Sequence, residues 1–162
     1  MSRGLNNNNP GNIRLSGTYW IGAVSGSDTS FVTFSSLSYG YRAMFVLLKN
    51  YISAGYNTIS LIINRWAPSS ENDTISYINH VVNLTGIAQD TLIDSSNETQ
   101  MKALVSALST HENGIAADPT AVAEGWALTG QIQTAKVVTI SGAAIILLSG
   151  AAYLLYRWFK IN

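Results

Sequence analysis

Between residues 39 and 128 the apolar positions recur at helical spacing. From Tyr39 to Ala54, residues Tyr41, Met44, Phe45, Leu48, Tyr51 and Ile52 share one broad face, and Gly55 ends the run. Thr58 to Arg65 puts Ile59, Ile62, Ile63 and Trp66 on one side and stops before Pro68. Ile75 to Leu84 predicts a third helix, capped by Asp73 or Thr74, burying Ile75, Ile78, Val81 and Val82 and stopped at Gly86. A fourth runs from Met101 to its stop at Gly114, with Asn97 and Gln100 at capping-box spacing. Asp118-Pro119, a cap followed by a first-turn proline, opens a short fifth helix to about Leu128.

Upstream the period changes. Thr18 to Phe34 has strand character: Tyr19-Trp20-Ile21, a Ser25-Gly26-Ser27-Asp28 turn, then Phe31 to Phe34, which predicts a small β-hairpin. Ser2 to Gly17, rich in asparagine and broken by Pro10, Gly11 and Gly17, predicts an ordered loop.

At the other end, Val137 to Tyr156 holds twenty residues without a charge, between Lys136 and the group Arg157, Trp158 and Lys160. That length crosses a hydrocarbon layer of about 30 Å, and the basic and aromatic flanks resemble interfacial anchors. The expected fold is therefore α+β and mainly helical. It comprises a domain over 1–130, a linker over 131–136, a C-terminal transmembrane helix over 137–156 and a short tail over 157–162. The corresponding location is a membrane, reached by a single-pass C-terminal anchor with the lipid bilayer as partner. The N-terminal stretch has no apolar signal region, so nothing there directs export.

Composition removes several functions. Nine basic and nine acidic residues give a formal net charge of zero, so no nucleic-acid partner is recruited by bulk charge. There is no cysteine, G-x-S-x-G elbow or phosphate-cradling loop. No cofactor is expected. His80 and His111 lack ligand spacing, so no metal is expected either.

The remaining chemistry centres on Glu112. Leu104, Leu108 and Glu112 fall at i, i+4 and i+8, so the carboxylate continues the core-facing line and ends it beside the helix C-terminus. Apolar neighbours and the negative end of the helix dipole both disfavour charge, surroundings that suit a general acid. On the residues alone, Glu112 is either such an acid or a solvated surface glutamate. Asn9 and Asn12, whose amides could bind sugar hydroxyls, could equally hold the loop in shape. Tyr77 lies off the Ile75/Ile78/Val82 stripe and faces either a cleft or the core; Trp66 reads more readily as core. Glu71 and Asp73 are weak candidates for a second carboxylate, and capping accounts for Asp73.

Several motifs resemble known proteins. Arg3-Gly4-Leu5-Asn6-Asn7-Asn8-Asn9-Pro10-Gly11-Asn12-Ile13-Arg14 is similar to the "RG-x-NNNPGNIR" opening of a family of phage and prophage virion proteins with lysozyme-like character. Phe31 to Phe34 leading to Tyr39 to Met44, the segment Ile63 to Thr74, and His111-Glu112-Asn113-Gly114 extend the likeness in order. More distantly, Glu112-Asn113-Gly114 resembles the Glu-Ser-Gly-like helix end of lytic transglycosylases, goose-type lysozymes and bacterial glucosaminidases. Their glutamate helix comes first, so the likeness implies a circularly permuted lysozyme-like domain.

The resemblance implies a phage enzyme that cleaves the MurNAc–GlcNAc backbone of peptidoglycan glycan strands, and the C-terminal apolar stretch adds the expectation of a membrane anchor. The resemblance carries over Glu112 alone, as the catalytic acid; Asn9, Asn12 and Tyr77 are expected in the substrate groove from their own chemistry. With one good carboxylate visible, the lytic-transglycosylase route is favoured over hydrolysis, which wants a second at a set distance. Other virion proteins are further expected partners. The alternative is a non-catalytic virion structural protein that keeps the fold.

Overall fold

The computed structural model describes residues 1–69 and 73–130, with the backbone of Val137–Ile140 and Ala143–Ile146. A one-turn helix α1 (Arg3–Asn6) opens the chain, followed by the two-residue strands β1 (Ala23–Val24) and β2 (Thr33–Phe34). Five helices come next: α2 (Leu37–Ser53), α3 (Ile59–Trp66), α4 (Thr74–Thr85), α5 (Glu98–Asn113) and α6 (Pro119–Ala127). The extended segments β3 (Val137–Ile140) and β4 (Ala143–Ile146) complete the described backbone.

The helix boundaries follow local chemistry. Thr58, Asp73, Asn97 and Asp118 each accept a hydrogen bond from a first-turn backbone N–H. Gly86 and Gly114 close α4 and α5 in the left-handed conformation, each at φ 69°. The capping box at α5 is half made, because the Gln100 side chain accepts from the Asp94 N–H and not from Asn97.

Helix α2 packs against α6, and α4 against α3 and α5. Met44, Phe45, Leu48, Ile62, Ile63, Val81, Met101, Leu104 and Leu108 are fully enclosed between them. Burial of side chains of this size contributes about 1.5–3 kcal/mol each. Gly125 permits the α2–α6 approach, since a Cβ there would lie 2.7 Å from Tyr41 Cβ and 2.9 Å from the Ser38 carbonyl oxygen.

The hairpin differs in its first strand. Phe34 pairs with Ala23, and Thr33 with Val24, antiparallel, whereas Tyr19 to Ile21 connect. Positive φ at Gly17 and Gly22 bends the chain on either side of Trp20, whose ring is buried in the core. The segment around Arg14 takes the remaining pairing, bridging Phe31, with Val32 N–H donating to the Ile13 carbonyl and Leu15 N–H to that of Ser30. The end of the asparagine loop thus runs beside the small sheet, held to it by this isolated bridge.

Helix α4 turns its face by one residue from expectation. Its buried side is Thr74, Tyr77, Ile78 and Val81, and Ile75 is 75% exposed. Tyr77 therefore lies within the stripe. A tyrosine is accepted there because its hydroxyl finds a partner across the interface, as described below.

The expected transmembrane helix over 137–156, and the membrane location that rested on it, do not stand. No helix among the described residues is long and apolar enough to cross a membrane. Val137–Ile140 and Ala143–Ile146 instead pair as antiparallel strands, Val137 opposite Ile146 and Ile140 opposite Ala143. The β-branched run Val137, Val138, Thr139 and Ile140 suits extended backbone better than helix. The rest of that stretch, the linker over 131–136 and the tail over 157–162 lie outside the described residues.

Candidate active site

Glu112 occupies the last turn of α5, half-buried, one residue before the last of the helix. Three side chains from three other parts of the chain donate to it. Trp66 Nε1, from the end of α3, lies 3.1 Å from Oε1. The Tyr77 hydroxyl, from the first turn of α4, lies 2.8 Å from the same oxygen. Asn12 Nδ2, from the N-terminal loop, lies 2.9 Å from Oε2. An indole N–H can only donate, so the carboxylate oxygens are the acceptors. Hydrogen bonds to an ionised carboxylate are the stronger kind.

Each donor is fixed from behind. Trp66 meets Tyr51 edge to face at 6.4 Å between centroids. Tyr77 is buried, and its ring lies flat on His111 at 3.5 Å and 7°. Burial, the Glu112 charge and the hydrogen bond to it all push the Tyr77 hydroxyl up from its ordinary value of 10.0. It remains a donor through the physiological range.

Asn12 is placed by unusual backbone, φ 48°, a left-handed conformation that asparagine tolerates better than most residues. Asn9 shapes the turn before it. Asn9 is fully enclosed; its Nδ2 donates to the Ile13 and Val32 carbonyls, and its Oδ1 accepts from Ile13 N–H. Asn113 fastens the same loop to α5, donating to the Pro10 carbonyl at 2.8 Å while its Oδ1 accepts from the Ser2 hydroxyl at 2.5 Å. Gly4 is needed beneath, because a Cβ there would lie 2.6 Å from Asn12 Oδ1 and 2.9 Å from Asn113 Oδ1.

Of the residues singled out in the sequence, Asn12 and Tyr77 thus meet at Glu112. Asn9 is turned inward and works on the loop. Asp73 caps α4 through its Oδ1, 3.1 Å from Ser76 N, and Glu71 lies outside the described residues. Trp66, weighed toward the core, is instead a direct partner of the carboxylate. His111 and His80, discounted as ligands, meet each other: their Nδ1 atoms are 2.9 Å apart. Among the described residues, no group of three or more histidine, aspartate or glutamate side chains could hold a metal ion.

The chain is 40% identical to protein P5 of Pseudoalteromonas phage PM2 over 118 residues, covering 70% of this chain and 72% of that protein. The chain belongs to the protein P5 family. It is thus a member of a phage protein family, in line with the likeness of its asparagine-rich opening. No family model matches it.

Proposed function

We propose that this protein is a phage virion-associated glycosidase that cuts the MurNAc–GlcNAc backbone of peptidoglycan, with Glu112 as its acid and base. The observation that carries this reading is the convergence of Asn12, Trp66 and Tyr77 on one partly buried carboxylate at a helix end, donors that would hold the carboxylate in place when it acts as base. Glu112 and Trp66 are both partly exposed, so a glycan approaching the carboxylate would meet the indole beside it.

The geometry suggests how the work is divided. Oε1 accepts two hydrogen bonds and Oε2 only one, from Asn12, so Oε2 is the oxygen with room to face the glycosidic oxygen. Glu112 would protonate the glycosidic oxygen as the C1–O bond of MurNAc breaks. The MurNAc 6-hydroxyl oxygen would then bond to C1, and its proton would pass to the Glu112 carboxylate, restoring the acid. This lytic-transglycosylase route needs one carboxylate, and Asp73, an exposed cap, is a poor second. The lysozyme-like, circularly permuted ancestry implied by the motifs belongs to the same proposal.

One observation favours a second reading. All three contacts donate to Glu112, so the carboxylate also ties the N-terminal loop, α3 and α4 to α5, a role a non-catalytic virion structural protein would keep.

A zymogram comparing wild type with Glu112→Gln separates the two. A glutamine keeps an oxygen for Trp66 and Tyr77, and Asn12 can turn its amide to accept from the new NH2 group. Clearing by wild type with loss in Glu112→Gln supports the enzyme, and 1,6-anhydro-MurNAc ends in the product support transglycosylation. No clearing by wild type sinks the enzyme reading. Equal clearing by both proteins sinks the role of Glu112.

A further inference from the structure

The histidine pair is not used by the chemistry above, yet it sits directly behind Tyr77. Tyr77 and His80 lie one turn apart on α4, and His111 precedes Glu112 on α5. The two helices therefore share a hydroxyl–carboxylate bond at 2.8 Å, a ring stack at 3.5 Å and a nitrogen–nitrogen contact at 2.9 Å in one short strip.

Two facing imidazole nitrogens hold together only if one carries a proton and the other a lone pair. The Nδ1 contact is therefore compatible with a neutral pair or a singly charged one. With both rings cationic, two N–H groups and two positive charges would oppose each other at that distance, and the contact must open.

We propose that His80 and His111 are positioning residues that clamp the Tyr77 ring so its hydroxyl stays on Glu112, and that a second proton on the pair releases the clamp. For its catalytic consequence the inference rests on the reading of Glu112 as the acid. Burial and the His80 charge both hold His111 below its ordinary value of 6.5, and the Glu112 charge opposes them. Among the described residues, the groups against the pair are Tyr77 from α4, stacked on His111, and the Glu112 charge from α5. The clamp thus stays shut at neutral pH and opens on the acid side, within the range where histidine switches operate.

An NMR titration of the full-length protein from about pH 5 to 8 tests this without reference to activity. The Tyr77 ring signals should move with the His111 midpoint. In His111→Phe, which keeps a flat ring on Tyr77, they should become independent of pH. In His80→Phe the His111 midpoint should rise, and the Tyr77 shift should rise with it. Tyr77 signals that ignore the His111 midpoint in wild type, or still follow pH in His111→Phe, overturn the proposal.

If peptidoglycan is cleared, the acid limb of clearing should move toward lower pH in His111→Phe by about one unit, because the clamp no longer opens there. Coupled titration without any clearing leaves the clamp standing and fells the glycosidase reading. Clearing with uncoupled titration does the reverse.

Discussion

Asn12 Nδ2 lies 2.9 Å from Oε2 of Glu112, a hydrogen bond between residues one hundred positions apart. The backbone that makes it possible is left-handed at Asn12. Side chain and backbone can therefore be tested apart. Asn12→Gly removes the amide and keeps the conformation; Asn12→Ala removes the amide and adds a Cβ that disfavours positive φ by about 1–2 kcal/mol. Denaturant unfolding should find Asn12→Ala less stable than Asn12→Gly by about that amount. Equal stabilities would mean that the loop relaxes.

Tyr77→Phe deletes one donor and leaves the stack on His111 intact. Loss of a hydrogen bond to a carboxylate that solvent can partly replace should cost about 1–2 kcal/mol of stability. If Glu112 is the acid, clearing should fall about 10- to 100-fold, short of complete loss, because Trp66 still holds Oε1. A variant as active as wild type would remove Tyr77 from the machinery.

The N-terminal segment is held by Arg3, whose guanidinium makes two bonds to Asp28 at 2.7 and 2.8 Å, with the Asn7 amide and the Ser30 and Phe31 N–H groups completing the set. Arg3 first, and then the Ser30 N–H, hold the Asp28 carboxyl well below its ordinary 3.8. A depressed carboxyl stabilises the fold above its unfolded value and loses that contribution as pH falls toward the folded one. Thermal stability should therefore decline below about pH 4. Asp28→Asn should flatten that decline while lowering stability at pH 7. Parallel curves for the two proteins would contradict the assignment.

Gly125→Ala should force α2 and α6 apart, since the nearest atoms to the added methyl include backbone at 2.9 and 3.0 Å. Overpacking of this kind costs about 1–3 kcal/mol, read as a lowered unfolding midpoint with unchanged slope. An unchanged midpoint would show that the seam has slack.

The caps and stops of the helices were legible because each depends on residues within one turn: Asp73, Asn97 and Asp118 at starts, Gly86 and Gly114 at ends. Tyr19 to Ile21 have strand composition but do not pair, because Gly17 and Gly22 bend the chain and Trp20 is buried between them. The α4 face slipped because Ile75 outranks Tyr77 on hydrophobicity alone, and only the distant carboxylate makes Tyr77 the better inward residue. Trp66 escaped for the same reason. No local spacing tells an indole that packs from one that also donates. At the C-terminal stretch, length and absence of charge are shared by an apolar helix and by paired strands, and the β-branched run Val137 to Ile140 is the local feature that leans toward strand.

Because Glu112 takes its partners from residues 12, 66 and 77, its setting cannot be assembled until the chain has left the ribosome as far as the end of α5. A nascent chain that has released its asparagine loop and both donor helices still lacks the acid. A fragment cut anywhere before α5 likewise lacks it, so a glycan-cutting activity would be withheld until synthesis had passed the glutamate.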